Sequence, residues 1–339
     1  MGLASAAEVV PRLDELAGRT VLVVGDVVLD RYVVGRATRL SREAPVPVLV
    51  HEQSFCLPGS AANPARNVRA LGSRVLQAAL IGDDEAGAEL LALLEAAGVE
   101  TPGVICLPDR RTNVKERILA RGTLRYPQQL ARVDWVDQSP FRPEQLGALA
   151  AQVERMATAA QAILLSDYQG GAVAGPVLEA CLAAQADLGL PVCVDAQSDL
   201  WQYRGVSVAK CNRDEAEASL GRRLSTEADF EEATGELLER LAANLVVVTR
   251  GEQGMSLRHC KEGYAHFPAP NRSEVFDVVG AGDTVIAILT LGTLAGWPTR
   301  ITATTAQLGA GIVIRRLGNA TTSIGELRVA AREWLPSGG

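Results

Sequence analysis

The run Val21-Leu22-Val23-Val24, closed at once by Gly25-Asp26, decides how the rest of the chain is read. Four apolar residues without polar alternation suit a parallel strand covered on both faces, and a glycine and a carboxylate suit the edge where such a strand stops. The same grammar recurs. Ile163-Leu164-Leu165 leads to Ser166-Asp167, Val192-Cys193-Val194 to Asp195, Val206-Ser207-Val208 to Lys210-Cys211-Asn212, and Leu245-Val246-Val247-Val248 to Thr249-Arg250-Gly251. Helical spacing fills 172–188 and 227–243, and a run over 301–316 closes the domain. The expected fold is α/β, a doubly wound, mostly parallel sheet with ligands at its carboxyl edge.

Two regions break the pattern. Residues 32–56 are proline-punctuated and β-like, and 104–134 alternate apolar with polar residues. They are read as a small second sheet, either a lid over the site or a peripheral flap. So small a sheet is marginal alone, which leads to the expectation of a homodimer joined through it.

The chain has 339 residues, 47% hydrophobic and 22% charged, with a formal net charge of −7. That balance provides for a large core and disfavours nucleic acid or an anionic membrane as partner. Six cysteines lie scattered without a CxxC pair, and the N-terminus has no basic segment ahead of an apolar one, so a cytoplasmic protein is expected. No GxxxxGK[ST], no GxGxxG after the first strand and no GxSxG elbow occurs, and His51, His259 and His266 lack metal-ligand spacing.

Chemistry gathers at Asp277-Val278-Val279-Gly280-Ala281-Gly282-Asp283-Thr284. Gly280, Ala281 and Gly282 open a helix whose first N–H groups can converge on an oxyanion. Asp283 beside that point suits a base that deprotonates a hydroxyl during phosphoryl transfer, or else a helix N-cap after a glycine turn. A second small-residue turn, Pro58-Gly59-Ser60-Ala61-Ala62-Asn63, either lets a polyhydroxylated ligand approach the backbone or packs a helix tightly on the sheet.

Taken together, VVGDVVLDRY (23–32), EAPVPV (43–48), PGSAANPARN (58–67), IGDDEAG (81–87), LSDYQGG (165–171), YRG (203–205), NRDE (212–215), VTRGEQGMSL (248–257) and FDVVGAGDTVI (276–286) resemble the ribokinase-type (PfkB) carbohydrate kinases. Within them the chain is most similar to the branch that phosphorylates heptose 7-phosphates. The resemblance implies a single ribokinase-like domain over 1–339 without a nucleotidyltransferase domain, ATP and Mg²⁺ as cofactors, and a sugar phosphate as substrate. It also implies Asp283 as base, with Gly280, Ala281 and Gly282 as anion hole. Asp26, Gly59, Ser60 and Asn63 would hold the sugar. Asn212, Glu215, Thr249, Gly251 and Asn319 would lie along the nucleotide, Glu215 reaching magnesium through water.

Lys115, Arg117, Gln128, Gln129 and Arg132 match a K-x-R…QQL-x-R pattern of the heptose branch, where cations suit a phosphorylated substrate; a solvated lid face is the other reading. The chain departs from the branch at Ser60, at Val279, at Gln197 where a lysine is usual, and in extra residues over 122–127. Two alternatives stay open: a kinase for another sugar or sugar phosphate, and a non-catalytic sugar- or nucleotide-binding homologue.

Overall fold

The computed structural model describes residues 2–122, 127–197, 199–270 and 277–336. Most of the extra lid segment, and Phe276, therefore lie outside the described residues. Among the described residues thirteen strands form two sheets. β1 (Thr20–Gly25), β4 (Arg74–Gly82), β5 (Glu100–Leu107), β8 (Ala162–Asp167), β9 (Val192–Ala196), β10 (Val208–Asn212), β11 (Leu245–Thr249), β12 (Met255–His259) and β13 (Gly263–Phe267) build the large one. Its order is β13-β12-β11-β10-β9-β8-β1-β4-β5, parallel from β11 to β5 with the last hairpin antiparallel.

β1 shows why its sequence is apolar throughout. Val21 and Val23 belong to one core and Leu22 and Val24 to the other, since successive side chains point to opposite faces and helices cover both. Helices Ala62–Ala70, Ala281–Leu294 and Thr299–Val313 contribute to the first core, and Pro143–Ala157, Pro176–Leu188 and Glu227–Leu241 to the second. No helix among the described residues is long and apolar enough to cross a membrane.

The five expected strands are present, with the one read at 206–208 displaced to Val208–Asn212. β4, β5, β12 and β13 were not foreseen. The helical run read to 316 ends at Val313, and a further helix, Ile324–Trp334, follows it.

The small sheet, ordered β3-β2-β6-β7, consists of β2 (Val27–Leu40), β3 (Pro47–Ser60), β6 (Val114–Arg121) and β7 (Gln128–Trp135). Its second half thus begins at Val114 and not at Val104, because 104–107 pair with β4 as the edge of the main sheet. Its first half is longer than the expected 32–56: β2 starts two residues after β1 ends, and β3 runs on to Ser60.

Candidate active site

The strand order reverses beside β1, whose neighbours are β4 on one side and β8 on the other, and ligands of doubly wound sheets bind at such a point. A cleft of about 1000 Å³ opens there, lined from the main sheet, the small sheet and the Gly280–Asp283 turn.

Gly280, at φ +81°, is the N-cap of the Ala281–Leu294 helix, so Asp283 is its third residue and does not cap it. The capping reading of Asp283 is thereby overturned. Its Oδ1 accepts from the Tyr168 hydroxyl and its Oδ2 from Asn63 Nδ2, each at 2.7 Å. Burial, reinforced by the negative charge of Asp195, pushes this carboxyl up to about 6, against the pull of those two donors and of Lys210. A carboxylate ionised at neutral pH yet prepared to take a proton is suited to base catalysis.

Beside it the Ala281 N–H turns back to Val278 O at 3.3 Å, while among the described residues the N–H groups of Gly282 and Asp283 have no backbone partner. Helix Ala62–Ala70 is locked alongside, with Thr284 Oγ1 donating to Asn67 Oδ1 at 2.9 Å and Asn67 Nδ2 to Asn63 O at 3.1 Å. The two small-residue motifs, about 220 residues apart, thus form one unit.

At the lid side the placement differs from expectation. Asp26 does not reach the cleft: its carboxylate accepts from the backbone N–H groups of Tyr168, Gly170 and Ala172 at 2.8–3.0 Å and so ties down the loop after β8. The carboxylate that does line the cleft is Asp30, unforeseen, on β2. It accepts from Arg117 and from Asn319 Nδ2. β2 and β6 run parallel with Asp30 opposite Lys115 and Tyr32 opposite Arg117, which puts all four side chains on one face.

Gly59 lies against Asp30 so closely that a Cβ there would strike its carboxylate. Ser60, at φ +51°, holds a left-handed conformation natural to glycine, a strain on the order of 1 kcal/mol. Asn319 belongs to this side of the cleft and not to the nucleotide end, since its amide is spent on Asp30 and Pro58 O. Of the five lid residues, Lys115 and Arg117 line the cleft. Gln128, Gln129 and Arg132 do not; they stand on the exposed edge strand β7, where Arg132 pairs with Asp134 at 2.8 Å.

The opposite end is formed by β10 and β11. Asn212 and Glu215 form a capping box, Oδ1 accepting from Glu215 N–H at 2.9 Å and Oε2 from Asn212 N–H at 2.6 Å. Burial first of all raises the Glu215 carboxyl to about 6. Thr249 Oγ1 donates to Cys211 O at 3.4 Å, Gly251 turns at φ +56°, and Met255, Pro270, Ala310 and Ile314 add an apolar wall. Gln197 also lines the cleft. Tyr168, Asp195 and Lys210 were not named as site residues, although Tyr168 stands in the LSDYQGG motif and Asp195 and Lys210 close two of the apolar runs at the edge where ligands were expected.

The fold and this arrangement of a buried carboxyl, open N–H groups and two-ended cleft suit a small-molecule phosphotransferase. The family model described as pfkB family carbohydrate kinase matches residues 19–324, and the chain belongs to that family. It is a sugar kinase that uses ATP. Among curated relatives, "Bifunctional protein HldE" of Rhodospirillum rubrum is 37% identical over 94% of this chain and 63% of its own length. That of Stutzerimonas stutzeri is 41% identical over 95% of this chain and 65% of its own. The chain thus spans a little under two thirds of these relatives. In fold it is similar to a putative ribokinase from Agrobacterium tumefaciens (TM-score 0.72, 20% identity, 94% of this chain and 99% of that one). Phosphofructokinase-2 from Escherichia coli in complex with fructose-6-phosphate is similar too (TM-score 0.73, 19% identity, 94% and 99%).

Proposed function

We propose that this kinase phosphorylates the anomeric hydroxyl of D-glycero-D-manno-heptose 7-phosphate, giving the 1,7-bisphosphate. The observation that carries the reading is Lys115. Its ammonium lines the cleft 5.5 Å from the centre of the Tyr168 ring, and no ion pair satisfies it among the described residues. Burial holds its pKa down, with the Asp30 charge opposing, so an anionic group on the substrate is the natural partner. The likeness of the chain to HldE proteins along nearly its whole length supports the same substrate.

In this reading Asp283 takes the proton of the attacking hydroxyl, while Tyr168 and Asn63 fix its two oxygens. The Gly282 and Asp283 N–H groups receive the γ-phosphoryl oxygens. Magnesium would be held at the nucleotide end through Glu215, a half-buried carboxylate lining the cleft, and would keep several waters and sit chiefly on the phosphates. When bound it neutralises charge on the transferring group. The small sheet excludes water from the cleft.

A homodimer through this sheet is part of the proposal. Leu40, Val50, Leu130, Val133 and Trp135 on it, with Val46 in the turn between β2 and β3, stand 40–69% exposed, apolar surface that a second copy would cover. A cytoplasmic location accords with ATP as donor and six unpaired cysteines.

The test is a panel of sugars and sugar phosphates assayed for ADP release, with the product's phosphorus NMR read for a new anomeric phosphate. Heptose 7-phosphate should give the highest kcat/KM, and Lys115→Met should raise its KM at least ~10-fold while leaving the KM for ATP alone. A higher kcat/KM for an unphosphorylated sugar would overturn the proposal.

A further inference from the structure

The small sheet springs from the main one at a single residue, Asp26, which stands between the end of β1 and the start of β2. Its backbone joins two neighbours there. Asp26 N–H donates to Ser166 O of β8 at 3.3 Å, and Asp26 O accepts at 2.8 Å from the N–H of Ala61, just past β3. The strands meet so closely that a Cβ on Gly25 would stand 2.0 Å from Ser166 O.

The side chain holds a third neighbour. Gln169 at φ +62° and Gly171 at φ +88° alternate with Tyr168, Gly170 and Ala172, so the N–H groups of these three turn inward as a nest of the kind that binds anions. Here the anion belongs to the chain itself. Asp26 Oδ2 accepts from Tyr168 and Gly170, and Oδ1 from Ala172. Burial pushes this carboxyl up, against the pull of those N–H groups, and the charge of Asp167 adds to the rise. A charge is costly to bury and a short neutral side chain can close a turn, so a carboxylate at this point asks for more than loop closure.

The segments that Asp26 ties together carry the two donors to Asp283. Tyr168, whose N–H is held by Oδ2, gives its hydroxyl to one oxygen of Asp283, and Asn63, two residues after Ala61, gives Nδ2 to the other, each at 2.7 Å. We propose that Asp26 is a positioning residue for phosphoryl transfer: by filling the nest after β8 and holding Ala61, it sets Tyr168 and Asn63 on the two oxygens of Asp283. The proposal rests on Asp283 being the base.

Asp26→Asn keeps the shape of the side chain but sets an N–H₂ against one of the three N–H donors, which loosens the nest. With ATP and the best acceptor of the panel above, kcat should fall ~10-fold, the KM for ATP should stay within about threefold of wild type, and the midpoint of kcat/KM should rise by ~1 pH unit as Tyr168 loses its place on Asp283. The direction separates two causes. Asp195 and Lys210, paired at 2.7 Å, also face Asp283, and taking one more negative charge from its surroundings would lower the midpoint, whereas a misplaced donor raises it. With Tyr168→Phe already in place, Asp26→Asn should move the midpoint by less than ~0.3 pH unit. A midpoint unmoved or lowered by Asp26→Asn, whatever its effect on Tm, would overturn the proposal, as would full additivity with Tyr168→Phe. If Asp26→Asn does not melt cooperatively, Gly171→Ala acts on the same loop: at φ +88° the new methyl strains the backbone, yet meets only Phe141, at 3.6 Å. It should raise the midpoint by a smaller step, and an unmoved midpoint overturns the proposal. Asp283→Asn is the control, since an acidic limb that survives in it would overturn the base itself and not the role of Asp26 alone.

Discussion

Asp283→Asn separates the chemical role of this side chain from its structural one. The carboxyl rises from 3.8 to about 6 in the fold, equivalent to about 3 kcal/mol of unfavourable ionisation at neutral pH. The sign follows from linkage. Between those two values the folded state holds more protons than the unfolded one, so this group's contribution falls as pH rises through about 6. A neutral amide removes that cost. It also brings an N–H₂ to face donors, but the Tyr168 hydroxyl can turn to accept, and Asn63 can flip to present Oδ1, which has no partner in the wild type.

The variant should therefore melt at the wild-type temperature or a few degrees above it, and bind ATP within a few-fold, while kcat drops by ~10²–10⁴. The wild-type kcat/KM should climb with pH through a midpoint near 6, and the variant should lack that limb. Steady-state kinetics and calorimetry on one preparation read all of these. Turnover within a few-fold of wild type would refute the assignment of the base.

Tyr168→Phe deletes the 2.7 Å bond to Asp283, and since a hydrogen bond to a charged group contributes ~1.5–3 kcal/mol, the acidic limb should move up by ~1–2 pH units; an unmoved midpoint would count against the bond. Asp30→Asn leaves the Arg117 charge buried and unpaired, for which a loss of ~3–5 kcal/mol and a fall in Tm on the order of 10 °C are expected by calorimetry, and a fall under ~2 °C would show the pair to be dispensable. Trp135→Glu together with Val133→Glu should convert the proposed dimer to monomer in light scattering, and a mass unchanged from wild type would place any interface elsewhere.

The parts of the fold legible in the sequence were those whose environment is uniform. β1, β8, β9 and β11 are buried on both faces and announce themselves as unbroken apolar runs. β4 is as buried, but Arg74 opens it and Gln77 interrupts it; the Gln77 amide donates to Val23 O at 3.1 Å, a satisfaction visible only across strands. β12 and β13 are short, and their polar Ser256, His259 and His266 suit a hairpin at the sheet margin.

The same distinction runs through the site. Asp283, Asn63 and the Gly280–Gly282 turn stood in local motifs and came together in the fold. Asp26 and Asp30 are the same residue type four positions apart, and nothing near them says which meets a ligand. The loop after β8 claims the first, and the parallel register with β6 presents the second to the cleft. Asp195 and Lys210 were visible only as strand ends; that they pair follows from the register of β9 with β10, which no local pattern states.

β2 and β3 begin and end within the substrate cleft, with no linker between cover and contact. Nature commonly changes what an enzyme accepts by grafting a new cap at a flexible junction. The β2–β3 half of the cover offers no such junction: exchanging it would also exchange Asp30, Gly59 and Ser60. Descendants of this chain must therefore drift toward new acceptors by single substitutions along those strands. Laboratory libraries confined to the outer loops would leave acceptor choice almost untouched.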